Sequence, residues 1–184
     1  MTPVAQTAPR AADLIPDCGQ CAALCCLSLA FDDGPDFALD KPAGTPCPNL
    51  GRHDCTIHDA LSTSGYSGCV RYSCLGAGQR VTQSLFAGQS WRDDPALTAP
   101  MMAAFADLRA VHKRLDLLAA AMTLPLSDSH KTLCLQLQQA LWRDDMTQTT
   151  FAGFADSPLA MDVDGFIADL RSYLTPPPET TDRS

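Results

Sequence analysis

The stretch Asp17–Cys26, "DCGQCAALCC", places four cysteines in ten residues. Three explanations compete for it: a disulfide framework, a cysteine-rich buried core, or a metal site. Read as an amphipathic helix capped by Asp17 and running through "CGQCAALCCLSLAF", it turns its cysteines in a definite way. At about 100° per residue, Cys18, Cys21 and Cys25 fall within roughly 60° of one another. Three thiolates would then face one side. Cys26 lies about 100° from Cys25 and would serve a second centre, a bridge or the core. If the first turn is a knuckle loop instead, Cys18 and Cys21 still converge as a CxxC pair.

Working outward, eight of the nine cysteines lie between residues 14 and 90: Cys18, Cys21, Cys25, Cys26, Cys47, Cys55, Cys69 and Cys74. They make two complete four-thiolate sets, the donors of a tetrahedral zinc or an iron–sulfur cluster. Soft thiolates select zinc, copper(I) or iron–sulfur. After the single CxxC the spacing is irregular, unlike a zinc ribbon with paired knuckles, which leaves iron–sulfur or a mixed-metal arrangement open. In "CTIHDAL", Cys55 and His58 stand at i and i+3, so His58 is a further candidate ligand. His53, in the polar turn "LGRHDC", is a weaker one. Pro42, Gly44, Pro46 and Pro48 stiffen the turn around Cys47. Arg71 would either offset thiolate charge between Cys69 and Cys74 or simply be exposed.

Composition narrows the setting. The chain has 184 residues, 46% of them hydrophobic, enough for one ordinary core. The net charge is −8, and the 13 basic residues are scattered. The nearest thing to a run is His112, Lys113 and Arg114. A nucleic-acid or anionic-membrane partner needs a basic stripe, so neither is expected. No stretch approaches the roughly 18 apolar residues of a membrane span. The opening "MTPVAQTAPRAADLIPD" has one arginine and no long apolar core, which predicts a cytoplasmic chain with reduced thiols. The odd cysteine count and this compartment turn the balance from disulfides to metal. Packing accounts for single buried cysteines, not for eight within 57 residues.

The expected fold class is mainly α, with a loop-rich cysteine-cluster half packed on a small C-terminal helical bundle. Four segments follow: a flexible leader, 1–13; the cysteine-cluster metal-binding region, 14–90; the helical bundle, 91–174; and a disordered tail, 175–184. In the bundle, a helix capped by Asp94 or Thr98 carries Met101, Phe105, Leu108, Leu115, Leu118 and Met122 on one stripe, with a gap near Val111. A second starts at Ser127 or Asp128 and should bury Leu133, Leu137 and Leu141. A third, from about Asp162, should turn Val163, Phe166, Ile167, Leu170 and Leu174 inward. Cys134 reads as a buried structural thiol. "GAGQRVTQ" should open a short helix that packs Val81, Leu85 and Phe86 on the bundle.

"CGQCAALCC", "PCPNL", "CTIHDAL" and "GCVRYSC" together resemble the YkgJ-like cysteine-cluster family of zinc- or iron-chelating domains. The eight cysteines occupy the family's positions in order. The three-residue gap between Cys21 and Cys25 is one longer than is common there. "FALDKPAGTPCPNL" and "GYSGCVRYSCLGAGQRVTQ" are similar to the cysteine-rich module that precedes the repeats in some bacterial pentapeptide-repeat proteins. That likeness covers about residues 17–92, and no five-residue repeat follows. The resemblance implies metal in place of disulfides. The wider family includes lysine N-methylases acting on flagellin, which implies an enzymatic alternative, although "LGAGQ", Leu75–Gln79, is no methyl-donor fingerprint.

The expected function is therefore a metal-binding protein holding zinc or an iron–sulfur cluster through these eight cysteines. Two alternatives stand beside it: an iron–sulfur-dependent redox or protein-modifying enzyme, and a zinc-stabilised module with a protein partner. None of the four histidines, His53, His58, His112 and His130, sits in a hydrolase motif, and no catalytic residue stands out.

Overall fold

A computed structural model gives the fold, described for residues 9–52 and 54–174. His53, the tail 175–184 and the first eight residues of the expected leader lie outside these. The protein is mainly α, with six α-helices among the described residues: α1 Leu24–Ser28, α2 Ser67–Arg71, α3 Ala77–Arg80, α4 Thr98–Ala121, α5 Asp128–Leu141 and α6 Pro158–Asp169. Extended pairing among them is limited to two isolated antiparallel bridges, Phe31 with Lys41 and Leu50 with Cys55. No helix among the described residues is long and apolar enough to cross a membrane.

The hub is α4. Asp94 caps the 3₁₀ turn that leads into it, its carboxylate accepting from the Ala96 N–H, with Pro95 at the first turn position. The buried stripe is Met101, Phe105, Leu108, Val111, His112, Leu115 and Leu118. Val111 and His112 fill the gap that periodicity left, and Met122 falls past the helix end, partly exposed. α5 and α6 pack on α4 and on each other, each capped by a serine hydroxyl, Ser127 and Ser157. The inward face of α5 is Cys134, Leu137, Gln138 and Leu141, whereas Leu133 is 41% exposed. Cys134 takes the inward place next to it and donates its thiol hydrogen to the Leu118 carbonyl at 3.4 Å. The third helix starts at Pro158, four residues before Asp162. It buries Val163 and Phe166, with Leu170 just beyond it, but leaves Leu174 68% exposed.

The core does not stop at residue 91. Leu14, Ala22, Leu24, Ala77, Val81 and Phe86 belong to the same buried cluster as the bundle. Residues 10–13 of the expected leader form a turn whose ends are tied by Arg10 and Asp13. α3 runs on into a wider π turn, Val81–Leu85, and both pack against α4. Arg80 is buried with its guanidinium 3.4 Å over the Trp142 ring and donates to the Arg143 carbonyl.

His112 is fully buried, and its Nδ1 contacts the Leu75 carbonyl, which can only accept. The imidazole is thus the neutral Nδ1–H tautomer, with Nε2 buried and unpartnered. Leu75 needs the support, because its φ is +51° and that of Gly76 is +77°. Burial pushes the His112 pKa down to about 4. The unfolded chain therefore binds a proton near pH 6.5 that the fold refuses until about pH 4. Stability should fall across that window by about 3 kcal/mol. His112→Asn, which keeps a donor for Leu75, should flatten the decline in melting temperature between pH 7 and pH 4. An equally steep decline in the variant would contradict this origin.

Candidate metal centre

The first cysteine motif is a knuckle followed by a helix. Asp17 caps a 3₁₀ turn at Cys18–Gln20 by accepting from the Gly19 N–H at 3.0 Å. Ala23 then turns into the left-handed region, φ +55°, before α1 begins. The continuous helix expected over this stretch is therefore not formed; the knuckle alternative is. The break is sterically unusual for alanine, and four side chains downstream hold the knuckle in place. Gln79 accepts from the Asp17 N–H at 2.9 Å and donates to the Ile15 carbonyl at 2.8 Å. The Thr82 hydroxyl accepts from the Ala22 N–H, Gln83 donates to the Gln20 carbonyl, and the Trp91 indole donates to the Ala22 carbonyl.

The other cysteines arrive on short, separately anchored pieces. The Cys47 N–H donates to the Cys26 carbonyl at 3.0 Å, which brings the proline-rich turn against α1. Cys55 sits at the bridge with Leu50. Cys69 lies in α2, against which Phe37 packs so closely that a Cβ on Gly68 would lie 2.3 Å from its ring. Cys74 precedes the strained Leu75–Gly76 turn. Gly78 of α3 leaves space for sulfur: a Cβ there would lie 2.6 Å from Cys21 Sγ and 3.8 Å from Cys74 Sγ.

These pieces surround one open-mouthed cavity of about 890 Å³. Seven of the eight candidate cysteines line it: Cys18, Cys21, Cys25, Cys26, Cys55, Cys69 and Cys74. Cys47, the eighth, is buried and lies outside the lining. Apolar walls come from Phe31, Phe37, Ile57, Leu61 and Phe105. All nine cysteines of the chain are free thiols. Among the described residues, no three Cys, His, Asp or Glu side chains are already grouped as a ready ligand set. His58 lines the cavity, but its side chain is 67% exposed and faces Asp59. Arg71 turns away from the thiols to Asp36, and also donates to Ser67.

The cavity favours the protonated form of four of its thiols, Cys18, Cys21, Cys25 and Cys69. Burial pushes Cys21 and Cys69 up to about 11. The N–H groups of Leu24 and Ala23, which point at the Cys21 sulfur, offset part of that rise. Burial also raises Cys18, and Cys25 is raised first by its hydrogen bond with the Cys26 side chain and then by burial. The Tyr72 hydroxyl lines the same space, buried and without a partner. Arg109 lies 5.3 Å from the Tyr72 ring centre.

Periodicity and spacing missed Gln79, Thr82, Gln83 and Trp91, whose roles are side-chain contacts with distant backbone that no local pattern announces, and Gly78, whose role is the space it leaves.

Over 116 residues the chain is 39% identical to the uncharacterized protein YybG of Bacillus subtilis (strain 168). The match takes in 62% of this chain and 42% of YybG, so it spans about two fifths of that relative's length. No family model matches the chain, and no solved structure matches it.

Removing the Gln79 clamp should free the knuckle at a cost of about 1 kcal/mol per lost hydrogen bond. In reduced, metal-free protein, Gln79→Ala should therefore raise the alkylation rates of Cys18 and Cys21 severalfold and leave Cys134 protected. Mass mapping of the labelled sites checks this, and unchanged Cys18 and Cys21 rates would contradict it.

Proposed function

We propose that the chain is a cytoplasmic metal-binding protein that holds zinc or an iron–sulfur cluster through Cys18, Cys21, Cys25, Cys26, Cys47, Cys55, Cys69 and Cys74. The observation that carries this reading is the convergence of seven cysteines, from the stretch Asp17–Cys26 and from the separate positions Cys55, Cys69 and Cys74, on one cavity. A disulfide framework would pair them, and simple packing would scatter them. The proposal includes the resemblance to YkgJ-like cysteine-cluster domains.

The residues suit such a group. The donor set is soft thiol sulfur, which selects zinc or iron–sulfur over hard cations. Gly78 leaves the Cys21 and Cys74 sulfurs a space that any larger residue would fill. The Ala23 and Leu24 N–H groups supply hydrogen bonds to the Cys21 sulfur. Zinc would contribute folding energy, and an iron–sulfur cluster would contribute electron transfer.

One observation favours an accessible centre over a closed zinc: Cys18, at the edge of the cavity, is exposed. The redox or protein-modifying alternative is therefore kept beside the metal-stabilised interaction module.

Binding of such a group is coupled to folding and to proton release. Chelation of the purified protein under reducing anaerobic conditions should lower its melting temperature, and for a zinc form zinc should restore it. With thiol pKa values near 11 at Cys21 and Cys69, each bound thiolate releases a proton at pH 7. Apparent zinc affinity should then fall steeply from pH 8 to pH 6, about tenfold per pH unit for each thiol deprotonated on binding. A melting curve unchanged after verified metal removal, with zinc affinity flat in pH, would overturn the proposal.

A further inference from the structure

The chain has three lysines. Lys113 and Lys131 are exposed, but Lys41 is only 3% exposed. Its ammonium donates to three backbone carbonyls: Leu27 and Pro42 at 3.3 Å and Thr45 at 2.8 Å. It also lies 4.9 Å from the centre of the Phe31 ring. Every N–H of the ammonium thus has a partner. Its charge has none: among the described residues Lys41 joins no ion pair with a carboxylate. The ionisable groups it faces are the thiols of Cys47, Cys26 and Cys25.

The backbone explains the meeting. Phe31 and Lys41 bridge, each N–H donating to the other's carbonyl. The ammonium thereby reaches the Leu27 carbonyl, one residue past Cys26, and the Thr45 carbonyl, two residues before Cys47. The Gly44 and Cys47 N–H groups close the same junction on the Leu27 and Cys26 carbonyls. A buried cation is expensive unless an anion accompanies it. Carbonyl dipoles stabilise it in part, and thiolates would complete the compensation. Four thiolates around one divalent ion, in turn, leave a surplus of negative charge that a fixed cation offsets.

We infer that Lys41 is the built-in counter-cation of a thiolate centre on Cys25, Cys26 and Cys47, so that Cys26 and the buried Cys47 bind metal and are not core thiols. The inference rests on the metal reading above and adds to it the division of the cysteines. Cys26 and Cys47 form the side of the centre nearest Lys41, while Cys21 and Cys74 form the side at Gly78. Lys41 is a positioning residue: it acts through the charge it places beside the sulfurs.

The test compares wild type with Lys41→Met and Lys41→Arg, using zinc with a competing chelator as the probe. Lys41→Met should lower zinc affinity tenfold or more relative to wild type. Lys41→Arg, which keeps the charge, should stay within about threefold. A purely structural role would lower the melting temperatures of the zinc-bound and zinc-free forms together and leave zinc affinity unmoved. Superimposable wild-type and Lys41→Met titrations, or equal losses in both variants, would overturn the inference while leaving the metal reading intact. Failure of the wild type itself to bind zinc, with no iron or labile sulfide in the anaerobically purified protein, would sink the metal reading instead. If Lys41→Met does not fold, the double variant Cys26→Ser, Cys47→Ser decides: loss of zinc supports the inference, and full retention contradicts it.

Discussion

The cysteine side of the molecule depends on one short piece of chain, Cys74–Leu85, pressed against α4. Nothing else there is regular enough to hold itself. Its helices are one turn long, and among the described residues its extended pairing amounts to two isolated bridges. Isolated helices of that length are unstable, so order must be imported from the bundle. Ala77 and Val81, fully buried, join the piece to the core. His112 holds its strained entrance at Leu75, and Gln79, Thr82 and Gln83 reach outward from it to grip the knuckle at Cys18–Cys21.

This arrangement separates two tasks. The bundle buries apolar surface and stabilises the fold. The loops present sulfur, and their backbone irregularities, at Ala23, Leu75 and Gly76, lie beside Cys21, Cys25 and Cys74. Strain next to prospective ligands is common where geometry serves function. In the metal-free protein burial favours the protonated form of Cys18, Cys21 and Cys69, and Lys41 lies buried at the junction of Cys26 and Cys47. Both features are resolved together when the sulfurs become thiolates around a metal.

The mainly α class and the capped helices were legible because each left a local signal: Asp94 with Pro95, Ser127, and the four-residue steps from Met101 to Leu118. The cysteines were legible as residues, but not which of them share one cavity, since Cys47 lies outside its lining. On α5, Leu137, Leu141 and Cys134 are buried as expected, and only Leu133 is misplaced, because tertiary packing turns its neighbour Cys134 inward in its stead. The helix expected from Cys18 onward was broken by side chains 60 or more residues away, Gln79 and Thr82 among them. Lys41 gave no signal, since an isolated lysine in a proline- and glycine-rich turn reads as a surface residue.

The central claim is that the eight ordered cysteines hold metal. Its most direct test is elemental and acid-labile sulfide analysis of untagged protein purified anaerobically, with an absorbance spectrum of the same sample. The account predicts bound zinc without colour, or iron with labile sulfide and a broad visible band. Protein with neither metal and no free thiols would contradict it and return the disulfide framework to first place.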